Sequence, residues 1–270
     1  MPPSCAASCG PWDERCFPNP PSRPINGPNP TENAMNEQPN NAPRDYVAPR
    51  GLPPELFRWH VFQVGDFLPD GWIEELLAIA ERKSQRRDFR PTMVTAREAD
   101  PGPIPITAVD GDHLAAEAPW LADLYRGWFA EIGATLGDPT IYPSDNHKVA
   151  LSLNIQTGTA TRYPCHVDSN PLEGLLYLTD CDTDTGGELV VGLDPNTSNV
   201  DEVERHCELL YPRAGQLFFF DARRHAHYVR PLRREGAVRA VVTMNYYSAS
   251  CPETQRPAGL DEQLFVRTKN

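Results

Sequence analysis

The chain has 270 residues, of which 40% are hydrophobic, and a formal charge of −12 at pH 7. This length allows one sizeable hydrophobic core and favours one domain with a tail. The negative charge argues against a nucleic-acid partner, because such binding depends mainly on Lys and Arg contacts to phosphates.

No apolar run is long enough for a membrane span or a secretory signal, so we expect no membrane partner and a cytoplasmic location. The seven cysteines lack paired spacings, which is typical of free thiols in a reducing compartment.

The first 50 residues differ in composition from the rest of the chain. They hold twelve of the 29 prolines and seven asparagines. Such a segment buries too little apolar surface to offset its ordering entropy. We therefore predict a disordered tail over residues 1–50 and one folded domain over residues 51–270. Met35 lies inside the tail and offers an alternative start, which would remove residues 1–34 from the natural protein.

Two helices are predicted in the first part of the folded domain, within a helical support over residues 66–137. Alternating apolar residues over 55–69 predict a strand that ends at Pro69. A helix capped by Asp70 follows. Its apolar stripe consists of Trp72, Ile73, Leu76, Leu77 and Ala80. A second helix is predicted from Pro119 to Leu136, because its apolar residues recur at spacings of three and four.

The pattern changes from about residue 148 to short runs of β-type residues separated by turn-forming residues. The runs are KVALSLNIQ, GLLYLTD, GGELVVG, AGQLFFFD, HAHYVRPL and RAVVTMNYYS. Helices followed by many short strands predict an α+β chain, whose β part over residues 147–250 closes as a sandwich or barrel.

A candidate metal site lies in the stretch TRYPCHVDSN, where His166 and Asp168 are two residues apart. On an extended strand these side chains face the same side. Two imidazoles and one carboxylate on one face of an octahedron suit iron(II) with open coordination positions. The third ligand is His225 or His227. We favour His227, because it begins the predicted strand HYVRPL, whereas His225 falls in the preceding turn.

Several ordered segments between residues 147 and 248 resemble the iron(II)- and 2-oxoglutarate-dependent dioxygenases, in particular the prolyl-4-hydroxylase-like branch. The segments are GTATRYPCHVD, GLLYLTD, TGGELVV, YPRAGQLFFFD, HYVRPL and the strand that carries Arg239. The resemblance implies a double-stranded β-helix (jelly-roll) core with flanking N-terminal helices. It also implies iron(II) held by His166, Asp168 and His227, 2-oxoglutarate as cosubstrate, and O2.

The resemblance also implies residues that bind the cosubstrate. Arg239 matches the basic residue that meets the distal carboxylate of 2-oxoglutarate, and its guanidinium suits a carboxylate. Tyr177 matches a tyrosine that hydrogen-bonds the same carboxylate. Tyr163 matches a further family tyrosine, and Gln156 falls where a cosubstrate-facing side chain is common.

The position of the arginine has rivals, because RREGA is inserted between His227 and Arg239. Arg230, Arg233 and Arg234 are the alternatives. Strand alternation within AVRAVVTMN favours Arg239.

Two residues are candidates for substrate contact. Arg162 is either an exposed strand residue or a ligand for an anionic substrate, and its proximity to the metal end favours the second role. Asn245 stands where prolyl hydroxylases carry a bulky aromatic residue.

Cys165 should face away from His166, which argues against a thiol nucleophile. His225 and His147 are expected to face solvent or to support the metal ligands.

The predicted activity is hydroxylation of an unactivated C–H bond in a small molecule, either a free amino acid or a natural-product intermediate, with release of succinate and CO2. A prolyl residue of a peptide or protein is the alternative substrate. A catalytically silent jelly-roll that senses a metal or a small carboxylate is the alternative from another functional class.

Overall fold

The structure is a computed structural model that describes residues 59–89, 95–99 and 104–257. The predicted tail over 1–50, Met35 and the start of the first predicted strand lie outside the described residues. Within the described part of the chain, no helix is both long enough and apolar enough to cross a membrane.

The described residues form an antiparallel β structure with helices on one side. The twelve strands are β1 (Trp59–Gln63), β2 (Gln85–Phe89), β3 (Ile104–Asp110), β4 (Tyr142–Pro143), β5 (Leu151–Thr157), β6 (Tyr163–His166), β7 (Leu172–Tyr177), β8 (Leu189–Gly192), β9 (Cys207–Leu210), β10 (Gln216–Phe220), β11 (His227–Val229) and β12 (Val238–Tyr247). The six α-helices are α1 (Trp72–Lys83), α2 (Gly111–Glu117), α3 (Pro119–Arg126), α4 (Trp128–Ala134), α5 (His147–Ala150) and α6 (Val200–Arg205).

Two sheets make up the β structure. The larger has eight strands in the order β1, β10, β7, β12, β5, β3 and β2, with β4 added beside β12. The smaller has four strands in the order β6, β11, β8 and β9. Most neighbouring strands are far apart in sequence, and all of the pairs are antiparallel. This arrangement is the predicted α+β fold with a jelly-roll core.

Side-chain alternation along β7 shows how the layers are built. Leu172 and Leu176 pack against the helices on the outer face of the larger sheet. Leu175 and Tyr177 point the other way, into a second apolar cluster between the sheets. The outer face therefore stabilises the fold by packing against the helices, and the side chains of the inner face line the space between the two sheets.

Three details of the N-terminal half differ from the sequence-based prediction. Helix α1 forms as expected, but its N-cap is Gly71, with no side-chain cap hydrogen bond, so the predicted Asp70 cap is wrong. The helix predicted from Pro119 to Leu136 is divided at Gly127, which has non-helical dihedral angles. The predicted helical support over 66–137 also contains strands β2 and β3, which extend the larger sheet.

Candidate active site

Two strands of the smaller sheet bring the predicted metal ligands together. His166 ends β6, His227 begins β11, and the two residues are direct partners in the antiparallel register. Their ring centroids are 4.5 Å apart. Asp168 follows β6, and its backbone N–H donates to the carbonyl of Ala222 at 2.9 Å. One ligand atom each from His166, Asp168 and His227 lies within 4.8 Å of the other two.

Backbone carbonyls orient both imidazoles toward Asp168. Nδ1 of His166 lies 2.6 Å from the carbonyl oxygen of Pro164, and Nδ1 of His227 lies 3.1 Å from that of His225. Because a carbonyl only accepts, each Nδ1 carries the proton and each Nε2 keeps its lone pair. These Nε2 atoms are 3.5 Å and 3.8 Å from the carboxylate oxygens of Asp168. The three side chains could therefore hold a divalent metal in a facial arrangement.

The protonation states of this cluster suit a metal ligand set. Burial and the neighbouring His166 lower the pKa of His227 to about 4, so its imidazole is neutral at pH 7. Burial raises the pKa of Asp168, but hydrogen bonding to Glu173 and the two imidazoles bring it below its ordinary value. The site thus offers a neutral imidazole and a carboxylate without first losing protons to solvent.

The triad lines a cavity of about 180 Å³ between the sheets, and Arg239 and Tyr163 line the same cavity. Arg239 is 2% exposed and lies opposite Gln156 in the register of β12 and β5. Its guanidinium carbon is 5.5 Å from the ring centroid of Tyr177. Tyr177 and Gln156 are therefore neighbours of Arg239, but neither of them lines the cavity.

Buried polar atoms near Arg239 fit a carboxylate ligand. Within the described part of the chain, the Tyr163 hydroxyl, Nε of Arg239 and Oε1 of Gln156 have no hydrogen-bond partner. Burial raises the pKa of Tyr163 to about 12, so its hydroxyl remains a donor at neutral pH. Two of these unsatisfied groups are donors, and an anionic carboxylate supplies the acceptors that they lack. The residues present thus fit a dicarboxylate reaching from the triad to Arg239.

The three rival arginines are placed elsewhere. Arg230 and Arg233 both form ion pairs with the buried carboxylate of Glu188. Arg234 is exposed. Of the four candidates, Arg239 is the one that lines the cavity.

The two predicted substrate contacts differ in position. Asn245 lines the cavity, whereas Arg162 does not. The guanidinium of Arg162 is bound by Glu98, which also accepts the backbone N–H of Cys165 at 3.1 Å. Arg162 is thus occupied by a carboxylate of the chain. It is partly exposed just before β6 and lies outside the cavity, which argues against the predicted contact with an anionic substrate.

The other histidines and Cys165 have structural positions. His225 is buried rather than solvent-facing, and its Nδ1 bonds the carbonyl of Gly192 at 2.8 Å, while its own carbonyl supports His227. His147 contacts Arg126 at the partly exposed start of α5. Cys165 is fully buried, and burial raises the pKa of its thiol to about 12, which agrees with the absence of a nucleophilic role.

Glu173 is a residue of the site that the sequence analysis missed. It is 9% exposed on β7, and its Oε2 lies 4.0 Å from Nε2 of His227. Burial and the adjacent Asp168 carboxylate raise the pKa of Glu173 well above its ordinary value. A sequence signal was present, because Glu173 is the one charged residue in the otherwise apolar strand LEGLLY.

A comparison with protein families identifies the core of the chain. Residues 151–247 match the model described as the 2OG-Fe(II) oxygenase superfamily. This segment is a 2OG-Fe(II) oxygenase domain, and the cofactors of that superfamily are iron(II), 2-oxoglutarate and O2. The superfamily predicted from sequence is thereby confirmed. No curated protein matches the chain.

Solved structures share the fold at low sequence identity. The epimerase SnoN from nogalamycin biosynthesis, described as non-heme and alpha-ketoglutarate-dependent, has a TM-score of 0.53 and 16% identity, covering 80% of this chain and 88% of its own. AviO1 from Streptomyces viridochromogenes Tue57 has a TM-score of 0.51 and 19% identity, covering 73% and 92%. The carbocyclase SnoK from nogalamycin biosynthesis has a TM-score of 0.51 and 13% identity, covering 72% and 81%. These likenesses show the fold.

Proposed function

We propose that the chain hydroxylates an unactivated C–H bond of a small molecule, with iron(II) held by His166, Asp168 and His227. The observation that carries this proposal is the convergence of three ligand atoms within 4.8 Å on the wall of a cavity that also contains Arg239. A carboxylate-binding arginine at a distance from a facial triad is the arrangement that a chelating keto acid requires.

Each residue has a defined task in this proposal. Arg239, Tyr163 and Tyr177 bind the distal carboxylate of 2-oxoglutarate. Gln156 lies beside Arg239 on the neighbouring strand, and its Nε2 donates to the carbonyls of Thr161 and Arg230. When bound, iron(II), 2-oxoglutarate and O2 would supply the oxidising chemistry, in which one oxygen atom of O2 goes to the succinate that forms with CO2 and the other goes to the substrate. The apolar cavity wall, which includes Phe89, Leu189 and Val241, excludes water and positions the substrate carbon.

The structural neighbours support a small-molecule substrate. Both SnoN and SnoK are described as enzymes of nogalamycin biosynthesis, which supports a natural-product intermediate as one substrate class and a free amino acid as the other. The presence of both a triad and a buried arginine supports catalysis rather than a silent sensor, because sensing alone does not need the four residues together.

The test begins with the binding of metal and cosubstrate. Anaerobic addition of iron(II) and 2-oxoglutarate to the purified protein should produce the weak visible charge-transfer band of a keto acid on iron. His166→Ala and Asp168→Ala should lose this band and should abolish succinate formation, whereas His206→Ala, an exposed histidine outside the cavity, should retain both. Full turnover in either ligand variant would refute the assignment.

A second measurement defines the type of oxidation. Candidate amino acids and small acids are screened for succinate release together with a mass gain of one oxygen. SnoN and SnoK are described as an epimerase and a carbocyclase, so succinate release without added oxygen would assign a different oxidative outcome to this chain.

A further inference from the structure

Residues 95–98 lie along the outer edge of β6, the strand that ends at His166. The backbone N–H of Arg97 donates to the carbonyl of Cys165 at 2.8 Å, and a β-bridge joins Ala96 to His166. Strand β6 therefore lies between β11 on one side and this segment on the other.

The side chain of Glu98 binds β6 at two points. Its two carboxylate oxygens accept hydrogen bonds from the guanidinium of Arg162, and Oε2 also accepts the backbone N–H of Cys165 at 3.1 Å. Both charged side chains are partly exposed, at 20% for Glu98 and 33% for Arg162. Such a pair contributes little free energy, but its bidentate geometry fixes the position of the carboxylate.

Pro164 lies between these two points of attachment. Proline has no N–H to donate, and the pairing of β6 with β11 is irregular here, because β6 has one extra residue between its paired positions. The carbonyl of Pro164 still has a defined contact, since it lies 2.6 Å from Nδ1 of His166. Glu98 thus holds β6 where its ladder with β11 is interrupted.

One planar peptide unit connects the carboxylate of Glu98 to the imidazole of His166. The N–H of Cys165 and the carbonyl of Pro164 belong to the same unit, so Glu98 accepts from one end and His166 donates to the other. A negative charge at the N–H end polarises the unit and strengthens its carbonyl as an acceptor. A stronger acceptor for Nδ1–H fixes the ring and makes Nε2 a better metal ligand.

We propose that Glu98 is a positioning residue for the metal ligand His166, which it orients through the peptide unit between Pro164 and Cys165. This inference rests on the proposed function, because it concerns a ligand of that metal site. Glu98 acts through the backbone of β6, and Arg162 holds the carboxylate in place. The arginine predicted to contact the substrate therefore supports the metal site instead.

The test measures the iron(II) affinity of the full chain from the charge-transfer band, in anaerobic titrations at saturating 2-oxoglutarate. Glu98→Ala should weaken iron(II) binding by about tenfold, as is typical when a hydrogen bond that supports a metal ligand is lost. Glu98→Gln keeps an acceptor for the Cys165 N–H without the charge, so its affinity should lie between those of the wild-type protein and Glu98→Ala. Arg162→Ala should also weaken iron(II) binding, because the carboxylate loses the side chain that holds it.

Glu117→Ala is the matched control. Glu117 also forms ion pairs with a distant segment, through Arg82 and Lys83 of α1, but it lies outside the cavity. This variant should retain the wild-type affinity for iron(II). Urea unfolding of the metal-free variants measures what the loss of each ion pair costs in stability.

The outcomes separate this inference from the proposed function. Absence of the charge-transfer band in folded wild-type protein would refute the proposed function and the inference with it. A normal band with wild-type affinity in Glu98→Ala, or with an equal loss of affinity in Glu117→Ala, would overturn the role of Glu98 alone. If Glu98→Ala does not fold, wild-type affinity in both Glu98→Gln and Arg162→Ala would overturn that role.

Discussion

The two imidazoles of the triad are held by backbone carbonyls rather than by side chains. The acceptors belong to Pro164 and His225, each two residues before the histidine that it orients. The orientation of the rings therefore depends on the local path of β6 and β11 and not on the identity of neighbouring side chains. This explains how a short motif in the sequence can specify much of a metal site.

Arg239 offers a test at the level of one side chain. Arg239→Ala should raise the KM for 2-oxoglutarate by roughly 10- to 100-fold, because charge-assisted hydrogen bonds to a carboxylate are lost. Arg239→Lys should recover part of this loss, since it keeps the charge without the planar fork. Steady-state succinate assays at varied 2-oxoglutarate measure the effect.

The matched control for that measurement is Arg234→Ala, because Arg234 is exposed and lies outside the cavity. Its KM for 2-oxoglutarate should stay at the wild-type value. A larger effect in the Arg234 variant than in Arg239→Ala would place the cosubstrate elsewhere.

The structure brings predicted site residues together where a local spacing carried the information. The separation of His166 and Asp168 and the alternation that favours Arg239 are examples, since all three residues line one cavity. Sequence reasoning failed for Arg162, because the carboxylate that binds this side chain is Glu98, 64 residues away. It also missed Glu173, whose significance depends on its distance from His227 rather than on a motif.

The turn before β8 helps to position Arg239. Gly186 and Gly187 both have positive φ, at 77° and 75°. A Cβ on Gly187 would lie 3.2 Å from Cδ of Arg239 and 3.0 Å from Cδ2 of Leu232. The segment TGGEL is therefore a turn into a strand, as predicted, and its second glycine also leaves space for the stem of the arginine.

Gly187→Ala should consequently impair cosubstrate binding as well as stability. The positive φ costs about 1 kcal/mol in any non-glycine residue, and the crowded Cβ should displace Arg239 and raise the KM for 2-oxoglutarate. Gly236→Ala is a matched control, because Gly236 also has a φ of 75° but has nothing within 4 Å of an added Cβ. Equal KM values in the two variants would contradict this role, and urea unfolding measures the shared backbone cost.

Helices and strands were predictable where their apolar periodicity was strong. Helix α1 and strands β5, β7, β8, β10, β11 and β12 follow their patterns, whereas β9 was not predicted and the first residues of the run KVALSLNIQ belong to helix α5. Strand β2 was missed because its sequence, QRRDF, lacks alternation and takes its extended form from pairing with β3. The break at Gly127 was also missed, because the apolar spacing continues across it and only the backbone shows the interruption.

At the level of the whole molecule, the jelly-roll was predictable from the order of its segments, but the strand order was not. Strand β12 pairs with both β5 and β7, which precede it by many residues. Such long-range pairing is set by packing of the whole chain and leaves no local signal. The jelly-roll was therefore predicted from the resemblance to a known family, because periodicity alone predicts strands but not how they pair.

Metal binding should stabilise the whole fold. A ligand that binds the native state at a hundredfold excess over its Kd adds about 2.7 kcal/mol to the free energy of unfolding, which corresponds to a rise of several degrees in Tm. Adding iron(II) anaerobically to chelator-treated protein should produce this rise. Asp168→Ala should show little change in Tm on metal addition, and an equal rise in that variant would indicate a different metal site. Differential scanning calorimetry measures both.

The proposed ligand set and the proposed anchor for the keto acid lie on different sheets. His166 and His227 belong to the smaller sheet, and Arg239 belongs to the larger one. A molecule of 2-oxoglutarate that contacts the metal at one end and the guanidinium at the other would therefore link the two sheets. Each turnover, by converting the cosubstrate to succinate, would remove the chelating end of this link, so it would add to the apolar packing between the sheets only while the cosubstrate is intact.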